Sequence, residues 1–257
     1  MRIELATAPG DPQRPNEDYA SVALPASGHG GALVLLDGVT PPPDGDDGCT
    51  HGVPWFTARL GGALLELSGS RRDTSLADCL SAAIERTTDT HAQTCEISHA
   101  LTPQATVVTA RWDAERVEYL VLSDSVLLIE APDGTVTPVL DDRIDRLRAA
   151  GRRLAPLRNM EGGFFTAAAD PAVAARAVTG SLPRGSVRTL AALTDGATRW
   201  VEVFGEGDWT QLTALLRKEG PQALIDRVRA AEDANPESAG ALYGKAHDDA
   251  AVILAEL

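Results

Sequence analysis

Lysine is nearly absent from this 257-residue chain: only Lys218 and Lys245 stand among its 23 basic residues, against 37 acidic ones, for a formal net charge of −14. A field of that sign argues against nucleic acid and anionic membrane surfaces as partners, because both are held by clustered basic side chains. Long apolar runs are missing too, and none approaches the roughly 20 residues that a membrane-spanning helix needs. No basic stretch leading into a short apolar run marks a secretory signal. Cysteine is scarce: Cys49, Cys79 and Cys95 are odd in number and lack C-x-x-C spacing, which predicts reduced thiols and a cytoplasmic setting rather than a disulfide framework. No repeat, low-complexity tract or linker divides the chain, so one domain spanning residues 1–257 is expected; a monomer is expected as well.

What the chain does have is a recurrent pairing of apolar runs with acids. Gly31-Ala32-Leu33-Val34-Leu35-Leu36 runs into Asp37-Gly38, and Val187 to Leu193 runs into Thr194-Asp195-Gly196. At the C-terminal end the order is mirrored, with Asp248-Asp249 preceding Ala250 to Leu254. Each reads as a buried strand that delivers a carboxylate to its end. One Asp-Gly is an ordinary turn. Three in a correlated pattern suggest convergence, and the repulsion among converging carboxylates is best relieved by Mg²⁺ or Mn²⁺, hard cations that take oxygen ligands.

The remaining pattern predicts a layered α+β fold rather than regular strand–helix alternation. Strands are expected at Arg2–Thr7 and Tyr19–Leu24, and a three-strand meander over Ala105–Trp112, Val117–Leu122 and Val126–Ala131. Helical spacing marks Trp55–Leu67, Leu76–Cys95 after a cap at Thr74 or Ser75, Asp141–Ala150, Gly163–Gly180, Trp209–Lys218 and Pro221–Glu232. Pro41 to Gly48 is too rich in Pro, Gly and Asp for a regular element, and its Asp44, Asp46 and Asp47 are expected in a solvated loop.

In order along the chain, Arg14-Pro15-Asn16-Glu17-Asp18, Leu36-Asp37-Gly38, Gln104-Ala105-Thr106, Leu122-Ser123-Asp124-Ser125, Leu193-Thr194-Asp195-Gly196 and Asp248-Asp249-Ala250-Ala251-Val252 resemble the motifs of the metal-dependent protein phosphatases of the 2C type. The resemblance spans nearly the whole chain. It implies an αββα sandwich of two antiparallel sheets flanked by helix pairs, with two or three Mn²⁺ or Mg²⁺ ions at one edge. By the same resemblance Asp37 bridges two metals, the Gly38 carbonyl helps hold one, and Asp195 and Asp248 bind the other. Glu17 and Asp18 would orient waters around them, Asp124 would serve an additional metal site, and Arg14 would grip the substrate phosphate. The implied activity is hydrolysis of phosphoserine or phosphothreonine in a phosphorylated protein substrate by metal-activated water.

The chain also departs from the family pattern. Val39-Thr40-Pro41 stands where the family has His-Gly-Gly, so the histidine that would protonate the leaving alcohol is missing. Val126, Ser123 and Ala251 replace motif residues, and Arg14 stands one residue nearer Asp18 than usual. His51 is either a loop histidine or a replacement general acid with a suitable pKa. Cys49-Thr50-His51 offers two metal ligands without a partner pair, too few for a site. Ser125 lacks a nucleophile elbow and reads as a structural hydroxyl. Two other functions stay open: a phosphatase-like binding or regulatory module, and a phosphomonoesterase for a small metabolite.

Overall fold

The computed structural model describes residues 1–42, 47–237, 240 and 245–257. Its strands are β1 (Arg2–Ala8), β2 (Tyr19–Ala23), β3 (Gly31–Leu36), β4 (Val107–Trp112), β5 (Arg116–Leu122), β6 (Val126–Glu130), β7 (Val136–Val139), β8 (Val178–Pro183), β9 (Thr189–Leu193) and β10 (Ala250–Glu256). Its α-helices are α1 (Val53–Ser70), α2 (Leu76–Asp89), α3 (Arg143–Ala149), α4 (Asp195–Glu202), α5 (Trp209–Glu219) and α6 (Pro221–Ala234). The strands form two five-stranded sheets in the orders β1-β10-β9-β6-β7 and β2-β3-β4-β5-β8, and every neighbouring pair is antiparallel.

The sheets lie face to face between two helical layers, and side-chain alternation along the strands explains how. On β3, Leu33 and Leu35 enter the apolar layer between the sheets, with Val108, Leu127, Leu190 and Ile253. Val34 and Leu36 point the other way, under Phe56, Leu60 and Leu64 of α1 and Leu80 and Ile84 of α2. A strand covered on both faces has no polar side, hence its uninterrupted apolar run. The other sheet repeats the arrangement, with Val126, Leu193, Val252 and Leu254 packed under Trp200, Leu212, Leu216, Leu224 and Val228 of α4, α5 and α6. The result is the expected α+β sandwich of four layers.

Helix starts follow their local signals. Ser75, not Thr74, caps α2 by accepting a hydrogen bond from the Asp78 amide at 3.1 Å. Asp208 and Gln211 form a reciprocal capping box on α5, and Pro221 opens α6.

Several expected elements are corrected. β4 and β5 pair as expected, but β6 leaves them and pairs with β9 and β7 in the other sheet, so there is no three-strand meander. The switch is made at Ser123, whose φ of 71° turns the chain sharply. The segment expected to be helical at Gly163–Gly180 holds instead a 3₁₀ turn at Pro171–Arg176 and the edge strand β8. Its alanines favour helix but all lie before β8, whose Val178 and Thr179 are β-branched and pair with Val121 and Leu120 of β5. α2 ends at Asp89 rather than at Cys95, and β7 and α4 have no counterpart among the expected elements. Asp44 and Asp46 lie outside the described residues.

Candidate functional site

The sandwich brings the acid-bearing strand ends to one edge. β9 and β10 are antiparallel neighbours, so the end of one and the start of the other adjoin, placing Asp195 beside Asp248. Asp37 arrives from the opposite sheet and is fixed by its backbone: the Thr106 amide donates to the Asp37 carbonyl at 2.9 Å, and the Asp37 amide donates to Thr106 Oγ1 at 3.3 Å. The Thr106 hydroxyl in turn shares a 2.5 Å hydrogen bond with that of Ser125, the structural role expected of Ser125.

Two glycines permit the close approach. A Cβ on Gly38 would stand 2.5 Å from the Glu17 carbonyl oxygen, and one on Gly196 would stand 1.9 Å from that of Asp249. Gly196→Ala therefore pushes the Asp248–Asp249 segment away from α4. We expect a loss of about 1–3 kcal/mol in urea unfolding together with weaker divalent-metal stabilisation.

Asp37, Gly38, Asp124, Asp195 and Asp248 line one cleft of about 210 Å³. Its electrostatics are those of acids held too close. Burial, and then the charges of Asp195, Asp18, Asp248 and Asp124, push the Asp37 carboxyl well above the usual carboxylate range. Burial and then Asp248 and Asp124 raise Asp195 to about 7, against a hydrogen bond with Asp37 and the pull of Arg199. Asp18 is raised chiefly by burial. Its Oδ2 accepts from the Thr194 hydroxyl at 2.9 Å, whereas its Oδ1 is buried with no partner. Glu17, also raised by burial, accepts a hydrogen bond from Thr40.

This donor set fits hard divalent cations. Among the described residues no arginine or lysine forms an ion pair with Asp37, Asp195 or Asp18, and a buried, partnerless carboxylate oxygen is costly without a cation. Asp248 is different: Lys245 Nζ lies 2.7 Å from its Oδ1 and Arg199 Nη2 lies 3.2 Å from its Oδ2. Asp124 lies across the cleft, with Arg148 3.9 Å away and burial raising its carboxyl.

Two expected residues fall elsewhere. His51 does not line the cleft. It is exposed, stacks on Trp55 at 4.2 Å and faces Cys49, Cys95 and His91. Arg14, also exposed, lines a small neighbouring pocket with Glu17, Thr40, Lys245 and Asp249. Meanwhile three cations that sequence reading passed over, Arg148, Arg158 and Lys245, line the cleft itself. Lys245 was within reach, at three residues before Asp248. Arg148 and Arg158 carry no local signal, because only the fold brings the end of α3 and the segment after it over the acids.

Comparison with known proteins places this arrangement. The sequence matches the family model described as Protein phosphatase 2C over residues 11–229. The fold resembles the serine/threonine phosphatase Stp1 from Staphylococcus aureus (TM-score 0.62, 15% identity, covering 99% of this chain and 94% of that one). It likewise resembles the Mycobacterium tuberculosis serine/threonine phosphatase PstP/Ppp (TM-score 0.60, 18% identity, 100% and 98% covered). A third similar structure is the catalytic domain of PstP in complex with two manganese ions (TM-score 0.59, 16% identity, 99% and 97% covered). No curated protein matches the sequence. With six motifs in order, a shared sandwich and a family match over most of its length, the chain belongs to the protein phosphatase 2C family of enzymes.

Proposed function

We propose that the chain is a single-domain, cytoplasmic phosphatase that hydrolyses phosphoserine or phosphothreonine in proteins and depends on Mn²⁺ or Mg²⁺. The observation that carries the proposal is the convergence of Asp37, Asp195 and Asp248 on one cleft, beside the partnerless Asp18 oxygen. Asp37, Asp195, Asp248, Asp124 and the Gly38 carbonyl would hold the ions, with Glu17 and Asp18 behind them. When bound, the metal supplies positive charge for the phosphate oxygens and activates water as the nucleophile.

The other work falls to the chain's own side chains. Arg158 lines the cleft with its buried Nε lacking a partner, and a guanidinium fork suits a phosphate monoester. Arg148 and Lys245 add cationic charge on either side. These three, rather than the rim residue Arg14, are best placed to orient the substrate. Arg158→Ala should raise KM for p-nitrophenyl phosphate about tenfold and move kcat less, whereas Arg14→Ala should change KM less than threefold, roughly the effect of an exposed charge. Steady-state kinetics at fixed Mn²⁺ separate the two.

One observation favours a second reading. Among the described residues no histidine lines the cleft, which suits a phosphatase-like module that binds rather than turns over. Assays of p-nitrophenyl phosphate and a phosphothreonine peptide, with and without Mn²⁺ or Mg²⁺, distinguish the readings. Metal-dependent turnover of both supports the proposal. No turnover on either, across several metals, overturns it in favour of the module. Turnover of small phosphate esters alone indicates a metabolite phosphatase.

A further inference from the structure

The segment after the cleft, where the chain leaves the family pattern, runs into a second cluster of a different chemistry. Cys49 and His51 stand just before α1, and His91 and Cys95 stand in the turn after α2. One ligand atom from each of the four lies within 4.8 Å of all the others. Cys49 Sγ is 3.4 Å from Cys95 Sγ, 3.8 Å from His51 Nδ1 and 3.7 Å from His91 Nδ1, and His51 Nδ1 is 3.3 Å from Cys95 Sγ. A tetrahedral zinc with two thiolates and two imidazoles has ligand–ligand edges of roughly 3.3–3.8 Å, as its bond lengths of about 2.3 and 2.0 Å require.

The clip is built by the backbone on both sides. Gly48 and Gly52, with φ of 68° and 75°, turn the chain at either end of Cys49-Thr50-His51. The Cys49 amide donates to Asp47 Oδ1 at 2.9 Å, closing a local turn. On the partner segment the Cys95 amide donates to the His91 carbonyl at 3.0 Å, a single helical turn that puts the two side chains on one face. The Glu96 amide donates to the Gly48 carbonyl at 2.7 Å, tying the two segments together directly beside the cluster. Trp55 orients both imidazoles, stacked on His51 at 4.2 Å and tilted against His91 at 5.2 Å.

We propose that Cys49, His51, His91 and Cys95 form a structural zinc site that staples the segment entering α1 to the turn after α2. His91 and Cys95, 42 and 46 residues after Cys49, supply the partner pair that Cys49 and His51 lack in their own stretch of sequence. All four positions are taken by protein, as in closed structural sites. Soft thiolates and imidazoles select zinc, whereas the all-oxygen cleft selects Mn²⁺ or Mg²⁺, so the two sites take different metals. The staple holds the start of α1, whose Val53 side chain stands against Gly38 of the cleft.

The test uses the full chain, reduced and stripped of metal, titrated with Co²⁺ and then Zn²⁺. We expect about one tightly held ion per chain, with thiolate-to-cobalt charge-transfer absorption and the intense ligand-field bands of tetrahedral cobalt, both abolished by zinc. Zinc should also shield Cys49 and Cys95 from alkylation while excess Mn²⁺ does not. Cys95→Ser and His91→Ala should each weaken zinc binding about 100-fold or more, and Cys79→Ala, remote from the cluster, should leave it unchanged. Because the wild-type spectrum and thiol protection stand alone, variants that fail to fold do not blunt the test. Absence of the charge-transfer band with equal alkylation in either metal overturns the proposal, as does a Cys49–Cys95 disulfide that forms in zinc-loaded protein. Neither result bears on turnover in the acidic cleft.

Discussion

Asp195→Asn and Asp37→Asn should each cut metal-dependent turnover by roughly 10³-fold or more while making the metal-free protein more stable, not less. The first effect follows from the loss of a carboxylate that holds the catalytic cation. The second follows from the cleft's geometry, because each of these acids is held high by burial and by the other carboxylates. Asp195 titrates at about 7 in the folded chain and near 3.9 when unfolded. The folded state therefore binds that proton more tightly, so the stabilisation is fully present below the unfolded value and is lost as pH rises through 7. In chelator the wild type should lose on the order of 3 kcal/mol between pH 5 and pH 8, and Asp195→Asn should lose much less. Saturating Mn²⁺ binds the ionised form and should abolish or reverse the slope. Urea melts at the two pH values, with and without Mn²⁺, read all of this. A flat metal-free profile, or a destabilised Asn variant, would mean that the acids are not crowded as the cleft requires.

How far the sequence disclosed this site depended on whether the controlling interactions were local. Asp37, Asp195 and Asp248 were legible because a strand buried on both faces leaves a continuous apolar run, and an acid at its end stands out against it. The αββα layers followed from the ordered motifs more than from periodicity. Periodicity failed where pairing between distant segments decides: β8 is an edge strand in a helix-favouring stretch, and β6 looks like the third strand of a hairpin series until Ser123 sends it into the other sheet. Arg148 and Arg158 were hidden for the same reason. The Cys/His cluster is half visible, since Cys49 and His51 stand two residues apart but their complement lies across a helical hairpin.

Burial separates two ion pairs of nearly equal length. Arg86 Nη1 and Glu66 Oε2 stand 2.6 Å apart with more than half of each side chain exposed, whereas Arg199 Nη1 and Glu232 Oε1 stand 2.7 Å apart with both side chains at 0%. Glu232 also accepts from Arg229 at 2.7 Å and faces His247 Nδ1 at 3.1 Å. A glutamate in the last turn of α6 opposes the helix dipole, so its position is explained by these partners rather than by helix preference. Both arginines continue to Asp248: Arg199 reaches its carboxylate at 3.2 Å, and Arg229 its carbonyl at 2.6 Å.

Glu232→Ala thus takes the shorter of two carboxylate partners from the buried Arg199 guanidinium and loosens the segment that carries Asp248. We expect it to cost about 3–5 kcal/mol in urea unfolding, against less than about 1 kcal/mol for Glu66→Ala. Because Asp248 loses its support, the shift in melting temperature produced by Mn²⁺ should also shrink in Glu232→Ala and stay unchanged in Glu66→Ala. Comparable losses for the two variants, or an undiminished Mn²⁺ shift in Glu232→Ala, would show that Asp248 is held in place without this network.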